Sequence, residues 1–250
     1  MVKEFVVGPS RMSLMANAVV RKGGSGAAIR DRGRPPKLPE HVRRAVVLDA
    51  AVTRFAEVGR ARATIDEIAA AAGVRKPAIY EMFGSKDDLY RAAVDKEVGE
   101  LSDFFRVVNA ETADLPRPER TRRRVDAALA RAEAQPAAFQ LLSRAQLSWP
   151  EDDPDAGRAL RDRLVGVIAD NYRRESRATG TPIAAAAEVL AQLFFAMTEQ
   201  IIHLRRDDPA WDRAVLVDFL ADFIEGGLTG IRREVWLAVE RAHPGADLVS

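Results

Sequence analysis

The chain of 250 residues contains no cysteine, which excludes a disulfide framework and a thiolate metal site. Histidine is almost as scarce, since the three histidines are His41, His203 and His243, which lie far apart in the sequence. There is no glycine-rich phosphate loop, and no histidine–carboxylate cluster has metal-ligand spacing. We therefore predict that the chain is not an enzyme and that it has no catalytic residue, metal or cofactor.

Long apolar runs are also missing. No run approaches the roughly 18 apolar residues of a membrane-spanning helix. Glycine, serine and asparagine interrupt the apolar residues of the first twenty positions, so we expect no secretory signal. These features predict a cytoplasmic protein with no membrane partner. The apolar residues, 47% of the chain, are numerous enough for a well-buried core.

The net charge of +1 conceals an uneven distribution. Residues 1–44 hold 10 Lys and Arg against 3 Asp and Glu, a balance of +7. The remainder holds 28 against 34, a balance of −6. A basic front and an acidic body indicate that only the front meets a polyanion.

Apolar residues recur at helical spacing from about Pro39 onward, and no segment of useful length has strand periodicity. Glycines and prolines, such as Gly59 and Pro136, mark the ends of the helices. We predict an all-α fold of about nine helices. The predicted helices of the second half cover residues 119–134, 136–148, 154–179, 182–206 and 209–241.

Residues 64–83 have the pattern of two short helices joined at a glycine, which is typical of a DNA-binding helix-turn-helix. Thr64 and Glu67 fit a capping box at the start of the first helix. Gly73 stands at the turn, where a left-handed backbone is expected. Four apolar residues form the predicted buried stripe of the first helix: Ile65, Ile68, Ala69 and Ala72.

Three segments, 47–59, 63–69 and 73–89, resemble the N-terminal domain of the TetR family of repressors in the order and spacing of their residues. The rest of the chain resembles that family only in being helical. The resemblance implies a transcriptional regulator that binds an operator in double-stranded DNA. We expect a disordered basic arm (1–37), a three-helix helix-turn-helix domain (38–90) and a helical effector-binding and dimerisation domain (91–243).

The resemblance also implies which residues contact DNA. Thr64 would touch a phosphate, Tyr80 a phosphate or a base edge, and Lys86 the backbone at a helix N-terminus, where anions are favoured. The alternatives are an ordinary cap, a surface tyrosine and a solvated lysine. Arg75 replaces a serine cap that is common in the family and gains a possible phosphate or guanine contact. The predicted set is Thr64, Arg75, Lys76, Pro77, Ala78, Tyr80 and Lys86.

Arg32 and Arg34 flank a glycine in the basic arm, in the order Arg-Gly-Arg-Pro. Glycine allows close approach to a groove floor, and arginine favours the negative potential of a narrow minor groove. The motif resembles the core of an AT-hook, and we add both arginines to the predicted DNA-binding residues. The alternative is a plain basic tail.

Two helices of the second half are apolar on so much of their surface that each must be buried on two sides. The simplest partner is a second copy of the chain, which gives a symmetric four-helix interface. The alternative is a monomer whose own helices bury these faces. The predicted interface residues are Leu190, Phe194, Met197, Ile201, Phe219, Phe223, Gly226, Gly227 and Gly230.

A small-molecule site is predicted between helices of the second half, where apolar and aromatic residues alternate with a few polar ones. The alternative is plain core. Few cations of this half look buried, which favours a hydrophobic or amphipathic effector over a strongly anionic one. The candidate effector-binding residues are Phe139, Gln146, Trp149, Ile168, Tyr172, Phe195, Glu199 and His203.

The resulting hypothesis is a homodimeric repressor that binds a palindromic operator and is released by a small effector. One alternative is an activator or architectural DNA-binding protein without an effector. Another is a lipid- or drug-binding helical protein that has lost DNA binding. The basic arm and the helix-turn-helix pattern argue against this last alternative.

Overall fold

The computed structural model describes residues 39–147, 154–179 and 183–242, and within these ranges the chain is helical without a strand. The predicted all-α fold is confirmed, with ten α-helices and one 3₁₀ turn, Ala184–Ala186, in the described part. The helices are α1 (Glu40–Arg62), α2 (Ile65–Ala72), α3 (Lys76–Phe83), α4 (Lys86–Glu111), α5 (Arg117–Ala134), α6 (Pro136–Leu147), α7 (Pro154–Thr179), α8 (Ala187–Asp207), α9 (Arg213–Gly230) and α10 (Arg233–Ala242).

The chain divides into a unit of residues 1–45 and a unit of residues 46–250. The boundary falls within α1. The backbone of α1 leaves helical geometry at Gly59, with φ 79° and ψ 162°, where the sequence predicts the end of this helix. Glycine adopts such a positive φ without steric cost, so the kink is encoded locally. The predicted domain boundaries themselves stay a prediction.

The first core lies beneath α2, α3 and the start of α4. Its largest fully buried side chains include Phe55, Ile68, Ile79 and Leu89, one from each of the first four helices. The rings of Phe55 and Tyr90 meet edge to face, with centroids 5.1 Å apart. Leucines of α6 and α7 belong to the same cluster, so the N-terminal helices and the helical body share one continuous core.

A second core joins α5, α7, α8 and α9. Its buried residues recur along each helix mostly every three or four positions, as expected for helices that bury one face. Leu129 of α5 and Val217 of α9 are almost completely buried at its centre. The stretch Ala184–Asp207, with a mean hydropathy of 1.3, is long and apolar enough to cross a membrane by length and composition alone. Here α8, which forms most of this stretch, contributes Ala187, Ala191 and Phe194 to the core.

The predicted helix 209–241 is two helices, which corrects the sequence interpretation. The chain becomes extended at Ile231, with φ −70° and ψ 121°, so α9 ends at Gly230 and α10 begins at Arg233. Gly226, Gly227 and Gly230 weaken the last turns of α9, because glycine has a low helix propensity.

Candidate functional site

The helix-turn-helix forms as the sequence predicts. Thr64 caps α2: its Oγ1 accepts the Glu67 N–H at 3.3 Å, and its own N–H donates to Glu67 Oε2 at 3.0 Å. Gly73 ends α2 with φ 65° and ψ 28°, and its N–H donates to the carbonyl of Ala70. The capping box and the left-handed glycine are both confirmed.

Glu67 also connects α2 to α1. Arg54 of α1 donates to both carboxylate oxygens, with Nη2–Oε1 at 2.5 Å and Nε–Oε2 at 3.2 Å. These hydrogen bonds from Arg54, followed by those from Thr64, lower the pKa of Glu67 to about 2. The carboxylate therefore stays charged at neutral pH and fixes the orientation of the first helix of the motif.

The surface of α3 carries the exposed residues of the predicted DNA contact. Arg75, Lys76, Pro77 and Tyr80 are exposed, and Ala78 is half-buried. Arg75 is the N-cap of α3, where it is exposed and makes no side-chain capping bond within the described chain. The Lys76 ammonium lies 2.9 Å from Asp66. Its hydrogen bond to Asp66 raises the pKa of Lys76.

Lys86 lies at the first position of α4, and its ammonium faces the end of α1. The distances from Nζ to the carbonyls of Ala63 and Ala61 are 3.4 and 3.5 Å. A lysine that compensates the end of a helix is favourable in itself, so its role toward DNA stays a prediction, as does that of Thr64. Arg32 and Arg34 lie outside the described residues.

One side of α8 and α9 presents apolar side chains to solvent. Phe219 is 63% exposed, and its ring stacks on that of Phe223 with centroids 6.4 Å apart. Gly226, Gly227 and Gly230 are exposed, and beyond the neighbouring residues and backbone of their own helix no described atom lies within 4 Å of a Cβ placed on any of them. We call this surface the apolar face; its large members are Val189, Leu193, Val215, Phe219 and Phe223.

The structure divides the predicted interface residues of α8 into two groups. Leu190 and Phe194 are buried in the core of their own protomer, where they leave little surface for a second copy. Met197 and Ile201 are half-buried against the second core. The exposed stripe of α8 is the neighbouring one, which contains Val189, Leu193, Ala196 and Gln200. The interface as a whole stays a prediction.

A cavity of about 70 Å³ lies between α4, α5, α6, α7 and α8. Four of the candidate effector residues line it: Phe139, Ile168, Phe195 and Glu199. His203 lies next to this wall, with its ring 5.1 Å from that of Phe139 and its Nε2 3.8 Å from Glu199 Oε1. The structure therefore brings most of the candidate residues together without testing whether they bind a ligand.

The other candidates lie elsewhere. Tyr172 lines a second, more polar cavity of about 30 Å³. Burial raises the pKa of this phenol to about 12, so it is neutral. Trp149 and the side chain of Gln146 lie outside the described part.

Sequence reasoning missed the polar wall of the first cavity. Glu97, Arg131 and Thr198 line it, and Thr198 Oγ1 is buried with no hydrogen-bond partner among the described residues. Burial raises the pKa of Glu97, against the effect of Lys96, whose ammonium lies 2.7 Å away. A signal was present, because Glu97 interrupts an apolar stripe of α4 beside Val94 and Val98.

Comparisons with known proteins agree with this geometry. Residues 47–93 match the model of a family described as bacterial regulatory proteins, tetR family. A relative from Mycolicibacterium smegmatis, the HTH-type transcriptional activator FasR, is 39% identical over 103 residues, which are 41% of this chain and 47% of FasR. The match thus spans about half the length of that relative.

Solved structures share the fold. A TetR-like regulator from Rhodococcus sp. RHA1 has 24% identity and a TM-score of 0.61, covering 78% of this chain and 100% of that one. A regulator from Pseudomonas aeruginosa PAO1 has 19% identity and a TM-score of 0.62, covering 78% and 94%. FadR from Bacillus subtilis, solved with stearoyl-CoA, has 16% identity and a TM-score of 0.58, covering 75% and 99%.

Proposed function

We propose that this chain, a member of the TetR family of bacterial regulatory proteins, is a cytoplasmic repressor that binds a palindromic operator as a homodimer and is released by a small effector. The observation that carries the proposal is the exposed face of α3 on a rigidly capped helix-turn-helix. Arg75, Lys76 and Tyr80 supply two cations and a hydroxyl on a helix narrow enough to enter a major groove.

The apolar face supports the homodimer. Monomeric proteins rarely leave several large apolar side chains exposed together, and here the stacked Phe219 and Phe223 of α9 are exposed, as are Val189 and Leu193 of α8. A two-fold axis through this surface would bury the same residues of both protomers. It would also present two α3 helices, which must lie about 34–36 Å apart to enter successive major grooves.

The cavity beside α4 supports an effector. Leu101 and Phe105 of α4 line the cavity, and Lys86 of the same helix contacts the carbonyl of Ala63, directly before the helix-turn-helix. A ligand that enlarged a cavity of about 70 Å³ would displace α4 and change the separation of the two α3 helices. A tenfold loss of operator affinity requires a coupling free energy of only about 1.4 kcal/mol.

A gel-shift titration with Tyr80→Ala and Arg75→Gln tests the DNA interface. We expect each variant to bind operator DNA at least tenfold more weakly, because each contact is lost in both protomers. For Arg75→Gln, the slope of log affinity against log salt should fall by about 2, one per lost phosphate contact.

The control is Arg123→Gln, which removes an exposed arginine from α5 and leaves α3 unchanged. Sedimentation should give all three variants the association state of the parent. If Tyr80→Ala and Arg75→Gln bind DNA like Arg123→Gln, α3 is not the reading helix and the proposal fails.

A second candidate is a transcriptional activator, which the match to FasR favours, since that relative is named as an activator. In vitro transcription from a template with the operator separates the two: a repressor lowers transcript yield when it binds, and an activator raises it.

A further inference from the structure

Four arginines line one cleft between the end of α4, the first turns of α5 and the end of α7. The cleft has a volume of about 390 Å³, and the acid among its described lining residues is Glu175. We call it the arginine cleft. Its arginines are Arg106, Arg120, Arg124 and Arg174. Arg106 and Arg174 are exposed, and Arg120 and Arg124 are half-buried. The cleft is therefore a local excess of positive charge in a body whose sequence is acidic.

Glu175 does not neutralise all of these cations. It lies 3.0 Å from Arg120 and 3.3 Å from Arg117, which is itself 3.2 Å from Glu225. Arg106 pairs with Asp103, and Arg174 donates to the neutral amide of Asn171.

Arg124 stands out among these arginines because its Nε is buried with no hydrogen-bond partner in the described chain. Burial, followed by repulsion from Arg120, lowers the pKa of Arg124 to about 10. At neutral pH this guanidinium is still charged, so a half-buried cation lines the cleft with its Nε donor unused.

Asn109 gives a second, independent indication of a missing ligand. It is only 7% exposed, and neither its amide nitrogen nor its oxygen has a partner within the described residues. The residue lines both the arginine cleft and the small polar cavity beside Tyr172. Buried amides in native proteins are nearly always hydrogen-bonded, so a polar group is expected here.

The small polar cavity lies between the apolar cavity and the arginine cleft and shares wall residues with both. The small polar cavity shares Phe105 and Phe194 with the apolar cavity, and it shares Asn109 and Arg124 with the arginine cleft. Along α4 the lining residues Leu101, Phe105 and Asn109 are one turn apart, about 6 Å each. The residues that line the three cavities thus change from apolar to polar to cationic along α4, α5 and α7.

We propose that the arginine cleft binds the anionic head group of an amphipathic effector, with Arg124 and Asn109 as its contacts and the apolar chain directed along α4 into the cavity. This inference rests on the proposed function, because it names the class of that effector. Guanidinium groups bind carboxylates and phosphates through paired hydrogen bonds, so a fatty acid and an acyl thioester with a phosphorylated carrier both fit the chemistry.

Calorimetric titration of the full chain without DNA tests the inference, with dodecanoate, dodecanoyl-CoA and 1-dodecanol as probes. We expect the parent to bind one or both anions at least tenfold more tightly than the alcohol. Arg124→Gln should lose at least tenfold in affinity for the anion and keep its affinity for the alcohol. If dodecanoyl-CoA binds more tightly than dodecanoate, the head group that the cleft prefers is a phosphate. If dodecanoate binds more tightly, the preferred head group is a carboxylate.

Arg123→Gln is the matched control, since it removes the adjacent, exposed arginine of α5. It should bind every probe like the parent, and Arg124→Lys should retain part of the anion affinity. If Arg124→Gln does not fold, as judged by circular dichroism, Asn109→Asp replaces it and should repel the anions through its added negative charge.

Three results would overturn the inference: equal affinity of the parent for alcohol and anions, equal losses in Arg124→Gln and Arg123→Gln, or no binding of any probe. An alcohol that binds as tightly as the anions and releases the operator would leave the proposed function standing. If instead an anion binds through Arg124 but does not change the affinity for DNA, the anion site in the arginine cleft is supported. The proposal that an effector releases the repressor from its operator is then contradicted.

Discussion

Truncation of one phenylalanine on the apolar face should separate the two protomers. Phe219 is 63% exposed in the single chain. For an aromatic side chain of roughly 200 Å², about 125 Å² is then available to a partner. Phe219→Ala removes about 100 Å² of this apolar surface per protomer, which corresponds to ~2.5 kcal/mol at 25 cal/mol per Å².

Because a two-fold axis repeats the contact, the loss per dimer is about 5 kcal/mol, or between three and four orders of magnitude in the dissociation constant. This figure is an upper limit, since it assumes that a partner covers the whole exposed ring. Sedimentation equilibrium over a wide range of protein concentration measures the change directly. Operator affinity should fall in parallel, since half of the DNA contacts depend on the second protomer.

A matched pair of valines controls for general effects of surface changes. Val215 of the apolar face is 58% exposed, and Val107, on α4, is 51% exposed. Val215→Asp should weaken the dimer strongly, because it would bury two carboxylates near the axis. Val107→Asp should leave it unchanged. A parent that sediments as a monomer at every concentration, or a Phe219→Ala dimer as stable as that of the parent, would refute the reasoning.

Two further predictions concern the stability of the helix-turn-helix. Gly73→Ala should lower the free energy of unfolding by about 1–2 kcal/mol in denaturant titrations, because alanine is strained at a φ of 65°. Gly99→Ala, at a helical glycine with open space around it, should raise it by up to about 1 kcal/mol, and equal effects at the two sites would contradict this account. Because the pKa of Glu67 is lowered to about 2, its contribution is complete above the ordinary pKa near 4.5 and is lost as the pH falls towards 2. Thermal melts of Glu67→Gln and the parent should therefore converge over that range, and a constant difference down to pH 2 would rule out the carboxylate as the cause.

Sequence reasoning succeeds where the determinants are local. The cap formed by Thr64 and Glu67 spans one helical turn, and Gly73 must accommodate a left-handed backbone whatever packs nearby. Both features follow from residues within a few positions of each other. The same holds for the kink at Gly59.

Sequence reasoning is weaker where both the core of the protomer and a surface for a second protomer require apolar residues. Leu190 and Val189 are both apolar neighbours on α8, yet the first is buried in its own protomer and the second is exposed. Periodicity shows that α8 has two apolar sides, but it does not show which side faces the core of its own chain. That distinction depends on how α7 and α9 pack, which is a property of distant segments.

Arg124 illustrates the same difficulty for charge. It lies in a run of arginines on α5 that reads as a solvated surface, and Arg123 beside it is indeed exposed. Arg124 is half-buried and lines two cavities, to which α4 and α7 contribute Asn109 and Asn171. A basic stretch of sequence therefore contains one residue with a different environment, and only the tertiary structure identifies it.

The length of α4 has a mechanical consequence. Its 26 residues form a rod of about 39 Å, with one end under the DNA-reading motif and the other at the arginine cleft. If α4 rotates by about 5° about its end at the arginine cleft, its other end, under the DNA-reading motif, moves by about 3 Å. This displacement is close to half the width of a minor groove. A ligand no larger than a short acyl chain therefore needs to tilt this rod only slightly to take a protomer out of register with the double helix.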